Sequence, residues 1–444
     1  MRALGDRLDQ PLRIAIAGRP GSGKSTVLNA LVGDEIAATR GSDRASVPAW
    51  YRHGAEPRVL AQSSDDEPVE LHCSTDGGLF DVDLTDHVIG DVSRLVVEWP
   101  SRSLRDMTLI DLPGGTPPAR FCADALLYVM PQVTADDIAF LEAFHGDDLA
   151  RPLAVNSIGV LGRIDELGMD RDDALEYARR LARATAERPD VRRLCQTVVP
   201  VAGLLGQGGS TISRDEVEML RVLAASPVSA VAWALGSSER FARASSTSLP
   251  SAPDRQWLLL RFGLFGVRVA IAQLRLRPLV DPARIGPLLT EASGLDDLRR
   301  TIETQLASRP WLLKARSVLR DAKSVLHSQP PPRAAWLLTN VERIESGAHE
   351  LNELRVLHAI QSGRVHLAPD VADEATRLLG GSGASAPARV GLADDASTDD
   401  IDAAAAEALR RWQRRTVDPT ATSLEVHAAA TVVRSCEGIL EDLS

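Results

Sequence analysis

Cysteine is scarce in this chain of 444 residues, and the cysteines are not clustered. Cys73, Cys122, Cys195 and Cys436 lie far apart, and no C-x-x-C pair occurs. Widely spaced cysteines without such a pair favour neither a disulfide framework nor a cysteine-based zinc site. We therefore expect reduced thiols in a cytoplasmic protein.

Long apolar runs are also missing. No stretch of 18 or more residues is apolar throughout and free of charge, so no transmembrane helix is predicted. The first eleven residues are too polar for a signal peptide. We expect any contact with a membrane to be peripheral, at the inner face of the cell membrane.

An excess of positive charge is absent as well, since the formal net charge is −11 at pH 7. That balance argues against a general affinity for nucleic acid. Hydrophobic residues make up 44% of the chain and charged residues 25%, as in ordinary soluble domains. The length allows two or three domains, and we find no internal repeat.

Lysine is rare, and the position of the first lysine is informative. Lys24 is the only lysine before Lys314, in a chain whose other basic residues are almost all arginine. It lies in the segment GRPGSGKS, residues 18–25, which fits the phosphate-binding motif G-x-x-x-x-G-K-[ST]. An apolar strand-like segment precedes this loop and a helix-like segment follows it. Backbone N–H groups and the start of the helix would then face a triphosphate.

The residues of this loop have distinct predicted roles. Lys24 is expected to reach the β- and γ-phosphates, and the Ser25 hydroxyl to bind Mg²⁺. Arg19 has two readings: a solvated loop arginine, or a positive charge supplied in cis to the transition state. The residues predicted to hold the nucleotide here are Gly18, Gly21, Ser22, Gly23, Lys24, Ser25 and Thr26.

Strand-like and helix-like segments alternate through residues 12–206. This alternation predicts an α/β domain with a mostly parallel sheet and helices on both faces. The pattern becomes helical through 207–310, and from 311 to 444 every predicted element is a helix, as in a bundle. We expect a short N-terminal segment, residues 1–11, before a nucleotide-binding domain, residues 12–310, and the helical bundle.

Three segments carry specific structural expectations. Residues 237–255, rich in Ser, Ala and Pro, are predicted to form a loop. The acidic residues 394–402 are also predicted to form a loop. Residues 335–357 are predicted to form one continuous helix.

A second phosphate-related motif is DLPG, residues 111–114, at the end of a predicted strand. It has the pattern D-x-x-G. Asp111 is expected to hold Mg²⁺ through water, and the Gly114 amide to contact the γ-phosphate. A loop with these contacts would respond to hydrolysis.

The choice of base is predicted from LGRID, residues 161–165, which stands where guanine-specific proteins have [NT]-K-x-D. Asp165 would accept hydrogen bonds from the guanine N1–H and 2-amino group; its alternative reading is an ordinary acid at a strand end. Arg163 replaces the lysine, and its stem would cover the ring. Ala202 and Gly203 occupy the place of the last guanine loop, where a backbone N–H meets the base oxygen. The predicted ligands are therefore GTP and GDP with Mg²⁺.

The first switch lacks its usual threonine. Ser46 is the hydroxyl nearest to Val47 and is the predicted ligand of Mg²⁺ there, with Ala45 as the alternative occupant of the position. No glutamine stands in the residues directly after DLPG (111–114) to orient a water molecule. Two readings stay open: a GTPase, and a protein that binds GTP with little or no hydrolysis.

With these motifs placed, the chain resembles the bacterial dynamin-like GTPases, and among them the mycobacterial isoniazid-induced type. The resemblance runs through nearly the whole chain, which makes it more specific than any one motif. The segments that carry it are RIAIAG (13–18), GKSTVLNALVGD (23–34), WYRHG (50–54), VEWP (97–100), VVPVAGLL (198–205), RFGLFGVR (261–268) and GGSGASA (380–386).

The resemblance implies a GTPase head, a helical neck and trunk, and assembly at membranes controlled by the nucleotide. It also implies self-association or pairing with a second dynamin-like protein. Two features depart from the family. The segment before the first strand is short, and the phosphate-binding loop has Pro20 and Gly21 where the family often has polar residues that assist hydrolysis.

The most apolar predicted helix is formed by residues 257–271 and contains Arg261 and Arg268. One reading places it at a membrane interface. The other reading, which we favour, packs it inside the protein, because its apolar surface extends nearly all round.

Overall fold

The structure is a computed structural model. It describes residues 2–37, 47–63, 68–71, 73–76, 79–82, 92–114, 123–145, 154–164, 174–244, 249–328, 330–361 and 363–443.

A nine-stranded sheet forms the centre of the first 310 residues, which we call the head. Its strands are β1 (Leu12–Ala17), β2 (Ala49–His53), β3 (Arg58–Ser63), β4 (Val69–Leu71), β7 (Val92–Trp99), β8 (Met107–Asp111), β9 (Ala125–Met130), β10 (Ser157–Leu161) and β11 (Thr197–Pro200). Two more strands, β5 (Cys73–Asp76) and β6 (Leu79–Val82), form a separate antiparallel pair.

The strand order across the sheet is β11-β10-β9-β1-β8-β2-β7-β3-β4. The five strands from β11 to β8 are parallel, and β2 pairs with β8 in the antiparallel sense. β2 and β7 are parallel, whereas β3 runs antiparallel to both of its neighbours. The prediction of a mostly parallel α/β sheet is confirmed.

Strand β1 is apolar apart from Arg13, because both faces of the sheet are covered. Its residues alternate between two buried clusters: Ile14 and Ile16 belong to one, and Ala15 and Ala17 to the other. Central parallel strands buried on both sides typically have such continuous apolar sequences.

The register brings several strand ends to one edge of the sheet. Ile16 of β1 lies opposite Asp111 of β8 and Leu127 of β9. Leu161, the last residue of β10, lies opposite Met130, the last residue of β9. The loops that follow these parallel strands therefore emerge side by side, at the carboxyl edge where α/β proteins bind ligands.

Helices surround the sheet and make up the rest of the chain. Those in the first 310 residues are α1 (Arg2–Gly5), α2 (Lys24–Val32), α3 (Ala135–His145), α4 (Ala174–Glu187), α5 (Pro189–Arg192), α6 (Gly203–Thr211), α7 (Arg214–Ala225), α8 (Val228–Ala234), α9 (Ser238–Arg243), α10 (Ala252–Leu276), α11 (Pro282–Ala292) and α12 (Leu295–Ile302). A short π-helix, Glu303–Ala307, extends α12.

The last part of the described chain is entirely helical, as predicted. Its helices are α13 (Pro310–Ser328), α14 (Ala334–Gly347), α15 (His349–Gln361), α16 (Pro369–Leu378), α17 (Ala386–Val390), α18 (Thr398–Thr416) and α19 (Ser423–Leu443). Trp412, fully buried, belongs to a cluster formed mostly by these helices, and the cluster also includes Val155 of the head.

Three local predictions need correction. Residues 237–255 are not one loop, since α9 lies within them and α10 begins at Ala252. Residues 335–357 form two helices, because the chain is extended at Ala348. Helix α18 begins at Thr398, inside the predicted acidic loop. Serine N-caps were overlooked in two cases: Ser237 and Ser397 each accept from a backbone N–H three residues later.

The N-terminal segment is built into the junction between the head and α13. Arg7 is 5% exposed and pairs with Asp124 at 3.0 Å and with Asp321 of α13 at 2.5 Å. Ser317 of α13 also donates a hydrogen bond to Asp124. Since Asp124 directly precedes β9, one buried carboxylate connects the N-terminal segment, the sheet and the helix that leaves the head.

Among the described residues, α10 is one helix that is long and apolar enough to cross a membrane, and half of its most apolar window is buried in the protein. Leu258, Phe262 and Phe265 belong to the core cluster of the head. Arg261 pairs with Glu216 at 2.7 Å. These contacts favour the reading of this segment as a core helix.

Candidate nucleotide-binding site

The loop between β1 and α2 needs glycine for two different reasons. At Gly18 a Cβ atom would lie 2.1 Å from the carbonyl oxygen of Val129, so β9 leaves no room for a side chain. Gly23, which caps α2, has a φ of 97°, in the left-handed region. No side chain caps this helix, so its first N–H groups remain as donors for an anion.

Lys24 lies across this loop. Its Nζ donates hydrogen bonds to the carbonyl oxygens of Gly18 at 3.1 Å and Arg19 at 3.2 Å. Burial lowers the pKa of Lys24, while the nearby Asp111 carboxylate opposes that shift. The positive charge of Lys24 is therefore only partly balanced by protein groups. A phosphate group next to the loop would supply the rest of the balancing negative charge.

Asp111 and Ser25 form the part of the site that fits a divalent cation. Burial raises the pKa of Asp111 to about 6, although Lys24 and a hydrogen bond from Ser25 act in the opposite direction. The Oδ1 atom of Asp111 is buried and has no hydrogen-bond partner among the described residues. A carboxylate oxygen and a hydroxyl oxygen are the hard ligands that Mg²⁺ prefers.

The described residues contain no cluster of three or more His, Cys, Asp or Glu side chains that would hold a metal by itself. A Mg²⁺ ion that arrives with a nucleotide needs only one or two protein ligands besides the phosphates. The pair Asp111 and Ser25 matches that requirement.

Gly114, the last residue of D-x-x-G, packs against the phosphate-binding loop. A Cβ atom at Gly114 would lie 2.7 Å from Cγ and 2.9 Å from Cδ of Pro20. The two phosphate-related motifs are therefore in direct contact, and the contact uses the proline that departs from the family pattern.

The guanine loop also contacts the phosphate-binding loop. A Cβ atom at Gly162 would lie 2.9 Å from the carbonyl oxygen of Ser22, so an Asn or Thr would require the loops to shift. Arg163 has a φ of 54°, and its Nη1 donates to the carbonyl oxygen of Gly21 at 3.0 Å. The backbone at Gly162 and the side chain of Arg163 thus tie the two loops together. Asp165 lies outside the described residues.

The segment after β11 borders the same site. The N–H of Ala202 donates to the carbonyl oxygen of Ser293 at 2.8 Å, so this donor is already engaged. Gly203 begins α6, and a Cβ atom there would lie 3.1 Å from Cγ2 of Thr26. The prediction that a backbone N–H meets the base therefore depends chiefly on Gly203.

The reading of Arg19 as a solvated loop arginine fits only in part, because its side chain lies beside a buried acid. Its Nε lies 3.2 Å from Oδ1 of Asp137, a carboxylate that is 0% exposed, while the arginine side chain is 39% exposed. The other reading of Arg19, a charge for the transition state, stays a prediction.

Comparison with known proteins gives one clear relationship. The chain is 34% identical over 457 aligned residues to the isoniazid-induced protein IniC of Mycobacterium tuberculosis, in both strain CDC 1551 / Oshkosh and strain ATCC 25618 / H37Rv. The alignment covers 99% of this chain and 92% of the relative. The chain belongs to the IniC family. The resemblance to bacterial dynamin-like proteins of the isoniazid-induced type is confirmed at the level of the family.

No protein-family profile matches the chain. Two solved structures of an oligomerised bacterial dynamin pair, described as sensing and tethering membranes, align with TM-scores of 0.32 and 0.30 at 12% identity. Each alignment covers 99% of this chain and 69% of the chain in the solved structure. A structural likeness of this size carries no argument about function.

In this IniC-family chain, the fold brings most of the predicted site together. The phosphate-binding loop, Asp111, Gly114 and Arg163 meet at the carboxyl edge of the sheet. Two predicted residues, Ser46 and Asp165, lie outside the described residues.

Two residues of the site escaped sequence reasoning. The carbonyl oxygen of Ser293, the residue that follows α11, accepts from the Ala202 amide, and no local signal marks it. Asp137 had a signal, since Thr134 and Asp137 form the T-x-x-D pattern of a helix start. That pattern predicts a cap, but it does not predict a pair with Arg19.

Proposed function

We propose that this IniC-family protein is a dynamin-like GTPase that binds GTP with Mg²⁺ and hydrolyses it to GDP and phosphate. The observation that carries the proposal is the meeting of three loops at one sheet edge. Lys24 begins α2 after β1, Asp111 ends β8 and Arg163 follows β10, and the three lie around the start of α2. That set of groups suits a magnesium nucleotide.

Each group has a role in the proposed reaction. The amides of the phosphate-binding loop and Lys24 hold the phosphates, and Lys24 exchanges its carbonyl partners for phosphate oxygens. Ser25, Asp111 and Ser46 would hold Mg²⁺, which supplies positive charge against the phosphates when bound. Arg163 covers the base, and Asp165 selects guanine. Gly114 connects the phosphate end of the site to the segment that follows it.

The proposal extends to assembly. Nucleotide state controls self-association or pairing with a second dynamin-like subunit, and the assembly remodels membrane from the cytoplasmic side. Family membership supports this part, together with Arg7, which connects the head to α13 beside β9.

A second candidate is a GTP-binding subunit with little or no hydrolysis, which scaffolds a catalytic partner. Pro20 favours it, because the loop lacks polar side chains at positions 20 and 21 where the family often has them. The lack of a glutamine directly after the DLPG motif (111–114) points the same way.

Phosphate release at saturating GTP separates the two candidates. It should be measured for the protein alone, with liposomes, and with a paired dynamin-like subunit, while GTP affinity is measured in parallel. Turnover above background in any of these conditions supports the GTPase. Background turnover with GTP still bound supports the scaffold, and turnover without cosedimentation with liposomes supports a GTPase with no membrane role.

Choice of base has its own test. The amide of Asp165→Asn reverses the hydrogen-bond pattern of the carboxylate, so preference should shift from GTP towards xanthosine triphosphate. Competition with ATP serves as the control for general loss of binding. An unchanged preference for GTP would show that Asp165 does not contact the base.

A further inference from the structure

Asp137 carries more contacts than a helix cap requires. Its Oδ2 accepts from the backbone N–H of Thr134 at 2.8 Å and from the Thr134 hydroxyl at 2.7 Å. These two bonds complete the start of α3. Its Oδ1 serves other groups: the hydroxyl of Tyr128 donates to it at 2.8 Å, and Nε of Arg19 lies 3.2 Å away.

The surroundings of Asp137 fix its position. Tyr128 is 1% exposed on β9 and lies opposite Ala17, the residue before the phosphate-binding loop. Burial, and then Asp137, raise the pKa of Tyr128, which keeps the phenol protonated as a donor. A carboxylate held by three donors from two elements offers Arg19 a rigid partner.

The ion pair between Arg19 and Asp137 matters more for the stability of Asp137 than for that of Arg19. A half-exposed arginine gains little stability from an ion pair. A fully buried carboxylate, in contrast, is costly to keep charged without a cation. The cap at the start of α3 does not require a buried carboxylate charge. The stability of α3 therefore does not explain why Asp137 lies beside Arg19.

Arg19 retains donors for another group. Its Nε forms an ion pair with Asp137 without hydrogen-bond geometry, and within the described part of the chain its two terminal amino groups contact no acceptor. Its own carbonyl oxygen accepts from Lys24 Nζ, so the residue lies within the phosphate-binding loop. The guanidinium is thus held at one edge and open at the other, a geometry that suits an oxyanion.

We propose that Asp137 is a positioning residue, which holds the Arg19 guanidinium so that its terminal donors meet the charge that develops on the transferred phosphoryl group. This inference rests on the proposed GTPase function. It assigns Arg19 to the transition state and assigns Asp137 a role through Arg19, without contact with the substrate.

The test compares a ground-state analogue, GTPγS, with a transition-state analogue, GDP with aluminium fluoride, both in the presence of Mg²⁺. Arg19→Ala should weaken binding of the aluminium fluoride complex about 100-fold, with little change for GTPγS. Asp137→Asn should weaken it about tenfold, because the amide keeps the shape but loses the charge. Arg19→Lys should recover part of the loss.

The double variant Arg19→Ala/Asp137→Asn should match Arg19→Ala alone, because Asp137 acts only through Arg19. It also removes both charges, so it remains informative if Asp137→Asn alone folds poorly. Asp136→Asn, an exposed acid on the same helix, is the matched control and should bind both analogues as the wild type does.

Distinct outcomes overturn the two proposals. Equal losses for both analogues, additive effects in the double variant, or a wild type with no preference for aluminium fluoride would each overturn the positioning role. Failure of the wild type to bind GTPγS would overturn the proposed function itself.

Discussion

Gly162 packs directly against the carbonyl oxygen of Ser22. A Cβ atom added to Gly162 would lie 2.9 Å from that oxygen and 3.1 Å from Cγ1 of Val129. This position has Asn or Thr in guanine-specific proteins. Here the backbone of the guanine loop takes the space that such a side chain would need. The two loops are therefore braced by close backbone packing.

This contact predicts that restoring the usual residue is harmful. Gly162→Asn should raise the Kd for GTP at least about tenfold, roughly 1.4 kcal/mol, because the loop must move away from Ser22. Gly438→Ala is the control, since nothing lies within 4 Å of a Cβ atom there. Tighter GTP binding by Gly162→Asn would contradict the packing argument.

The contact between Gly114 and Pro20 gives a second prediction. Gly114→Ala should weaken binding of GTP with Mg²⁺, because the new Cβ atom collides with the proline ring. Pro20→Ala removes both ring atoms that collide, so the double variant Gly114→Ala/Pro20→Ala should recover part of the affinity. Isothermal titration of the four proteins measures this coupling, and purely additive losses would count against a steric cause.

Lys24 should be indispensable for the triphosphate. Lys24→Ala is expected to raise the Kd for GTP by about 100-fold or more, since it removes a charge-assisted contact to phosphate. The fold should persist, because the lysine contacts only loop carbonyls and its burial is unfavourable for the charged form. Lys323→Ala, on α13, controls for loss of a lysine. A Kd for GTP within about tenfold of the wild-type value in Lys24→Ala would disprove the proposed role of the loop.

Arg7 should stabilise the junction between the head and α13. Arg7→Ala leaves Asp124 buried without this cation, at 2% side-chain exposure, so the free energy of unfolding should fall by about 3 kcal/mol. Arg105→Ala, at an exposed position, should change it by less than about 0.5 kcal/mol. Chemical denaturation measures both. A loss as small as that of the control would show that the ion pair contributes little.

Two buried histidines predict sensitivity to acid. Burial, with Arg316 as a smaller cause, lowers the pKa of His145 to about 3. Burial, followed by Arg364 and Arg316, lowers the pKa of His358 to about 4. A lowered pKa in the folded state means that stability is present above the ordinary value of about 6.5 and is lost as pH falls below it.

Between pH 6.5 and pH 5 each histidine should therefore cost about 2 kcal/mol of stability. His145→Gln, whose amide replaces the donor to the carbonyl oxygen of Leu194, should flatten the decline measured by denaturation at several pH values. His366→Gln, at an exposed position, should leave the decline unchanged. Equal pH profiles for His145→Gln and the wild type would exclude His145 as a cause.

Much of the site could be predicted because its signals are local. The glycines of the loop, Lys24 and Ser25 are contiguous, and their roles follow from backbone conformation and the geometry of phosphate. Asp111 ends an apolar strand, and that position in the chain was enough to suggest a metal ligand. The alternation of apolar segments likewise predicted a mostly parallel sheet.

Local signals also explain where prediction failed. Ser237 and Ser397 are helix caps that were interpreted as parts of loops. Gly347, next to the break between α14 and α15, was outweighed by apolar residues at helical spacing on both sides. A single glycine is tolerated within a helix, so the pattern alone did not place the break.

The sequence by itself determined the fold class and membership of a family, and it predicted the phosphate-binding loop, because each depends on residues that are near one another or on similarity along the whole chain. Only the tertiary structure decided which loops touch. The contacts of Asp137 with Arg19, of Ser293 with Ala202, and of Gly162 with Ser22 join residues about 90 to 140 positions apart. Such contacts follow from strand order and register, and these depend on how all the buried surfaces pack together.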